Sequence, residues 1–207
     1  MSDIQIMAPM RKGIVSVNEL NVSIQQALNP KDDNKKEKLY RNTVFREGDK
    51  VMQIKNNYNM SWKILTSRGK YIDEGMGVFN GDQGVVIKID DDNEQMTVVF
   101  DDNKTVVYDY TQLDELELAY AVTIHKSQGS EYPVVVIPVH SGPPMLMTRN
   151  LLYTAVTRAK KLVVLVGNYE AVKGMVANNR EVNRYTGLSV KIKNLYDFMN
   201  NETVIEL

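Results

Sequence analysis

Two uninterrupted apolar runs constrain this chain more than any other feature. Val134, Val135, Val136 and Ile137 form the first; Leu162, Val163, Val164, Leu165 and Val166 form the second. Both lack the polar alternation of a half-exposed strand, and both fit strands buried on two faces of a parallel sheet. Residues 150–159 between them read as a helix, and a further helix is predicted over 172–178, after Gly167. Strand–helix–strand alternation of this kind predicts parallel α/β architecture.

The amino-terminal stretch has the same texture. Residues 4–10 read as a strand stopped near Pro9, which cannot donate to a ladder. Past the turn at Arg11, Lys12 and Gly13, the residues Val17, Leu20, Ile24 and Leu28 recur at helical spacing, with Ser16 and Glu19 placed as a capping box. Asn29 and Pro30 end that helix, and residues 31–38 read as a charged, solvated connector. From 44 to 116 the pattern changes to short β-branched runs at 50–54, 84–89, 96–100 and 105–108, punctuated by turn residues. That density of strands predicts a small barrel. Residues 118–124 then read as a strand that resumes the α/β pattern. The expected organisation is one discontinuous α/β domain, residues 1–43 and 117–207, with an all-β insert at 44–116 looped out of it.

Composition excludes several classes of function. The chain has no cysteine, so disulfides and thiolate metal sites are ruled out. His125 and His140 are its only histidines, too few for a multi-histidine metal centre, and no metal site is expected. No apolar run reaches membrane-helix length, and the first residues carry no secretion signal; a cytoplasmic protein with no membrane partner is expected. With 25 Lys+Arg against 26 Asp+Glu, the net charge is −1, so any nucleic-acid contact must come from a local site.

The densest cluster of chemistry lies between the strand at 118–124 and the first apolar run. Thr123, His125, Lys126, Ser127, Gln128 and Ser130 place hydrogen-bonding side chains close together, and Gly129 permits close backbone approach. Such groups suit phosphate oxygens, although an ordinary polar loop has the same composition. Arg158, near the end of the 150–159 helix, carries a permanent charge and several donors. Read alone, it is a surface residue at a helix terminus as readily as a ligand.

Resemblance changes the weighting. The stretch from Thr123 through His125, Gly129 and Glu131 resembles motif V of superfamily-1 helicases in its RecD-like form. Leu151 to Lys161, with Thr154, Thr157 and Arg158, resembles motif VI of the same family. Residues 8–13 and 18–21 are similar to the segment that opens the second motor lobe, and residues 48–53, 56–58 and 77–82 to an SH3-like barrel inserted there. The resemblance covers nearly the whole chain. It implies a RecA-like motor lobe with an SH3-like insert, part of an ATP-dependent DNA helicase moving 5′ to 3′ on single-stranded DNA. By the same resemblance Arg158 is an arginine finger; Arg11, Gly129 and Glu131 contact nucleotide; Thr123, His125 and Ser127 contact the DNA backbone. Asn56, Asn57 and Tyr58 form a polar–aromatic loop expected to add a DNA contact. Of the other insert aromatics, Trp62, Tyr71, Tyr108 and Tyr110, most are expected in the barrel core.

No segment matches the phosphate-binding loop pattern, and no strand ends in the acidic pair that holds Mg²⁺. ATP and Mg²⁺ are therefore expected to be held mainly by a first motor lobe outside these 207 residues, with the fragment inactive alone. That lobe, single-stranded DNA and nuclease–helicase subunits are the expected partners. A non-catalytic single-strand-binding module, and a lobe of a multi-subunit exonuclease or relaxase-helicase, are the rival readings.

Overall fold

The structure is a computed structural model; it describes residues 3–66, 70–179 and 187–201. A four-stranded parallel sheet runs in the order β11-β1-β12-β13, from Ala121–Thr123 (β11), Ile4–Ala8 (β1), Tyr132–Val139 (β12) and Ala159–Gly167 (β13). Its helices are α1 (Val17–Leu28), α2 (Arg149–Val156) and α3 (Tyr169–Ala177). One face of the sheet packs Met7, Val122, Val135, Ile137 and Val139 against Leu151, Leu152 and Ala155 of α2 and Met175 of α3. A fourth helix, α4 (Leu188–Asn201), lies in a part of the sequence where no element was expected.

The insert is a seven-stranded antiparallel sheet in the order β10-β4-β7-β8-β9-β5-β6. Its strands are Lys50–Gln53 (β4), Asn57–Leu65 (β5), Tyr71–Val78 (β6), Gln83–Asp90 (β7), Gln95–Phe100 (β8), Lys104–Asp109 (β9) and Leu116–Leu118 (β10). It wraps Phe45, Val51, Val86, Ile89, Met96, Val98, Val106 and Tyr108 into a core of its own. A hairpin of Glu37–Tyr40 (β2) and Thr43–Arg46 (β3) precedes it. The first of these strands begins at Glu37, inside the 31–38 stretch read as a solvated connector, and runs past its end.

Three further expectations are corrected. The strand read over 118–124 is two strands: Leu116–Leu118 pairs with β4 in the barrel, and Ala121–Thr123 pairs with β1 in the lobe. The insert sheet therefore reaches past the expected boundary at 116. The hairpin of β5 and β6 was not foreseen, because its glycines read as turn residues. Gly75 is instead a strand residue facing the Trp62 indole, where an added Cβ would lie 2.4 Å from a ring carbon. Finally, the α1 stripe is only partly turned inward: Val17 is buried, Leu20 is half-buried, Ile24 is half-buried against the barrel core, and Leu28 is exposed. The helix also buries the amides of Asn21 and Gln25, which hydrogen-bond inward.

That polar surface joins insert to lobe. Asp49 is fully buried just before β4, and its carboxylate accepts from Gln25 Nε2 at 2.6 Å, Asn29 Nδ2 at 2.7 Å, the Arg46 amide at 2.7 Å and the Tyr120 hydroxyl at 2.9 Å. A carboxylate leaves water only when its lone pairs are met, and here donors from α1, β3 and the residue after the barrel meet them. Burial, then the charge and acceptance of Asp49, push the Tyr120 hydroxyl well above the usual phenol range. A second seam centres on Gln5 of β1, whose Nε2 reaches the Ala119 and Tyr120 carbonyls, while its Oε1 accepts from Lys50 Nζ at 2.8 Å. Asn21 adds a third, with Nδ2 on the Leu118 and Ala121 carbonyls and Oδ1 on the Ala121 amide. Asp49→Ala leaves several buried donors unmet and should cost about 3 kcal/mol or more. A urea midpoint that implies a loss below about 1 kcal/mol would show that the hub is dispensable.

Candidate functional site

The candidate residues fall at two ends of the parallel sheet. Ala8 pairs with Thr123 at the carboxyl ends of β1 and β11, and Arg11 follows just beyond. Arg158 precedes β13 at the opposite end, where its carbonyl accepts from the Tyr132 amide at the start of β12. The register places Ile4 opposite Val134. Ala8 and Arg158 are thus separated by roughly 20 Å along the strand direction, at about 3.3 Å per residue. The chain from 124 to 131 connects the two ends as a series of turns.

At the amino end, Arg158 lies half-buried against the 129–131 segment, in which Gly129 and Glu131 are exposed and Ser130 is half-buried. Its Nη1 donates to the Ser130 carbonyl and its Nη2 to Thr157 Oγ1, each at 3.4 Å. Its Nε is the one buried side-chain polar atom without a partner among the described residues. Buried donors are nearly always satisfied, so an orphaned donor on a guanidinium with two long bonds marks a group with capacity in reserve. Gly129 has φ of +90° with open space where a Cβ would project, so the turn is left-handed and its backbone accessible. Glu131 pairs with Lys160 at 3.0 Å, both well exposed. A cavity of about 250 Å³ beside this segment is lined by Asp82, Asp101, Asp102 and Glu131 with Lys104 as its one cation, so carboxylates predominate there.

At the carboxyl end, Thr123 Oγ1 accepts from the Lys126 amide and closes a turn that leaves His125 and Gln128 exposed. These two line an open groove of about 270 Å³ with Thr148, Asn150 and Thr154. Ser127 is different from its neighbours: its side chain is fully buried, and its hydroxyl donates to the Ile124 carbonyl at 2.7 Å. The expected backbone-contact role of Ser127 is not supported by this placement, because the turn itself consumes the hydroxyl.

Arg11 was grouped with the nucleotide-facing residues by resemblance, but it stands at the carboxyl end beside Thr123. It is ion-paired with Glu117, whose other oxygen accepts from Lys126 Nζ at 2.8 Å. Burial pushes the Glu117 carboxyl up, but the hydrogen bond and charge of Lys126, followed by those of Arg11, hold it below the usual range. Sequence reasoning missed Glu117, which is one acidic residue among many on a strand with no motif around it. Arg11 and Lys126 thus share a single carboxylate, a locally cationic edge on a chain of net charge −1.

On the barrel, Asn56 Oδ1 accepts from the Asn80 amide and Asn57 Nδ2 donates to both Glu115 oxygens, so these groups hold their own loop. Tyr58 is 67% exposed and meets Phe79 edge-on at 5.7 Å between ring centroids. Tyr108 and Tyr110 are buried, Trp62 is partly buried and Tyr71 is exposed. Phe79 lies within the 77–82 stretch and is not picked out by the sequence as an aromatic surface. No cluster able to hold a metal ion occurs among the described residues. Asp90 lies at the end of β7 and Asp91 in the turn that follows, before β8 begins at Gln95.

Comparison with known proteins finds relatives for both parts of the chain. Residues 20–100 match the family described as ATP-dependent RecD-like DNA helicase SH3 domain, and residues 118–166 match the UvrD-like helicase C-terminal domain. The ATP-dependent RecD2 DNA helicase of Deinococcus radiodurans is 33% identical over 190 residues, which cover 92% of this chain and 23% of that protein. RecD of the RecBCD enzyme from Mycolicibacterium smegmatis is 39% identical over 121 residues, covering 58% of this chain and 21% of the relative. The chain thus spans less than a quarter of these relatives. Among solved structures, a Pif1 helicase described in forked-DNA unwinding superposes over 97% of this chain and 46% of its own, with TM-score 0.53 and 17% identity. Bacteroides Pif1 in complex with ADP-AlF3 and single-stranded DNA covers 93% of this chain and 45% of its own, with TM-score 0.51 and 18% identity. The two family matches, their order along the sequence and the shared fold make this chain a member of the RecD-like superfamily-1 helicases, a RecA-like lobe carrying an SH3-like insert.

Proposed function

We propose that this chain is the second motor lobe of an ATP-dependent DNA helicase that translocates on single-stranded DNA, and that it donates Arg158 to nucleotide held by a partner lobe. The observation that carries the reading is the unsatisfied, half-buried Arg158 guanidinium beside the left-handed turn at Gly129. Phosphoryl transfer needs charge neutralised around the γ-phosphate, and an arginine placed across a cleft supplies it. Gly129 and Glu131 flank that position on the exposed segment. No carboxylate cluster among the described residues suits Mg²⁺, and no phosphate-binding loop occurs in the sequence, so both belong to the partner lobe in this reading.

The opposite end of the sheet is proposed as the nucleic-acid edge. Thr123, His125 and Gln128 with Arg11 and Lys126 offer hydroxyl, imidazole, amide and two cations to a phosphate backbone, and the exposed Tyr58–Phe79 pair offers faces for stacking. Arg11 serves this edge better than the nucleotide edge, given its neighbours. The 5′-to-3′ direction, the cytoplasmic setting and association with nuclease–helicase subunits follow from the family alone.

In the full-length protein, Arg158→Ala should reduce DNA-stimulated ATPase by about 10³-fold or more. A near-wild-type rate would remove the arginine-finger assignment. Replacing Thr123 and His125 by Ala should weaken single-strand binding, read by fluorescence anisotropy; unchanged affinity would return that turn to a purely structural role. Glu117→Gln should act in the other direction, tightening single-strand binding and steepening its salt dependence as Arg11 and Lys126 become available to phosphate. The same variant has a pH signature. Because the folded Glu117 carboxyl titrates below its ordinary value of 4.5, its contribution to stability is present above that value and disappears as pH falls through the folded one. The stability gap between wild type and Glu117→Gln should close in that acid window; a pH-independent gap would contradict the pairing.

A further inference from the structure

The strand pair that carries Arg158 is least regular where Arg158 enters it. Tyr132 pairs with Ala159 and Val134 with Leu162, so β13 carries one residue more than β12 over this step. Pro133 stands between the two registered residues and has no amide to give. Across the sheet, Arg158 is held by its carbonyl, which accepts from the Tyr132 amide at 2.9 Å. Its guanidinium adds only the two long bonds to Ser130 and Thr157. The place of Arg158 is therefore set largely by the place of Tyr132.

Tyr132 is in turn fixed from the barrel. Its ring is buried in the lobe core, and its hydroxyl accepts from Gln83 Nε2 at 2.9 Å. Gln83 is buried on β7, where it pairs with Met52 and its carbonyl accepts from the Asp101 amide at 3.0 Å, so the donor is firmly seated. The same Nε2 lies 3.3 Å from Gln5 Oε1, which also takes Lys50 Nζ. Burial pushes the Tyr132 hydroxyl above the usual phenol range, and hydrogen bonds with Ser130 and Gln83 act against that rise. Ser130, whose carbonyl receives the Arg158 guanidinium, is thereby tied to the same phenol. Beside this bridge, Ser130 and Glu131 line a cavity of about 250 Å³ shared with the barrel, so close packing does not back the contact on that side.

We propose that Gln83 of the barrel is a positioning residue for Arg158, acting through the Tyr132 hydroxyl, so that the insert helps to build the nucleotide edge of the lobe it interrupts. The proposal rests on the reading of Arg158 as a donor to nucleotide. A charge aimed at a transferring phosphoryl group must be held to within about 0.5 Å, and small displacements there are costly. Nothing in the sequence announces the link, because Gln83 and Tyr132 lie 49 positions apart and belong to different parts of the chain.

The test uses the full-length protein. Tyr132→Phe keeps the ring and the amide and removes only the hydroxyl; Gln83→Met keeps the reach of the side chain and removes the donor. Each should lower the kcat of DNA-stimulated ATPase about tenfold, with the KM for ATP and the single-strand affinity held within about twofold. Because both substitutions break the same bond, the double variant should be no slower than either single one. In an Arg158→Ala background, neither should lower the residual rate further. Loss of folded protein would lower that residual rate as well, so this background separates positioning from destabilisation. A wild-type kcat in Tyr132→Phe, or a tenfold loss that persists without Arg158, would overturn the positioning role and leave the arginine itself standing. An Arg158→Ala rate near wild type would instead remove the reading on which the proposal rests, and the proposal with it.

Discussion

The buried carboxylate of Asp49 is the constraint around which the rest is arranged. It lies where the chain enters the barrel, and it draws donors from the first helix of the lobe, from the hairpin before the barrel and from Tyr120 beyond the last barrel strand. A lone buried charge is untenable, so every segment that supplies a donor is fixed relative to the others. The polar inner face of α1 is the visible result. Asn21 and Gln25 occupy positions that an ordinary packing helix fills with leucine.

Fixing insert to lobe also fixes the two ends of the site relative to each other. The eight residues after Thr123 run from the edge with Arg11 and Lys126 to the edge with Arg158, anchored midway by the buried Ser127 hydroxyl. The separation has a chemical logic. In the proposed function, nucleotide and DNA backbone carry like charge, and opposite ends of the sheet would let each meet its own cation.

Much of this was legible in the residues. The apolar runs, the Ser16 cap and the short barrel strands all have local causes, so periodicity and turn chemistry locate them. What escaped depends on distant partners. Residues 118–124 read as one strand because nothing local reveals that Leu118 pairs with Val51 and Ala121 with Ile6. The β5–β6 hairpin was hidden by glycines whose need lies across the sheet, at Trp62. For the site, resemblance singled out Arg158 and Thr123, and it grouped Arg11 with the nucleotide-facing residues, whereas strand register sets Arg11 at the opposite end of the sheet from Arg158. It did not reach Glu117, which matters only through the two cations that fold against it.

The manner in which the barrel is joined bears on how such a protein can change over time. Lobe and insert meet through polar seams at Asp49, Gln5 and Asn21, with Met52 packed into the lobe core and Ile24 against the barrel core beside them. Deleting the insert would cost Gln25 its Val44 and Asp49 acceptors, Gln5 its Lys50 and Gln83 donors, and Asn21 the Leu118 carbonyl. Grafting it elsewhere would demand the same three amides in the new host. The barrel is therefore no detachable accessory.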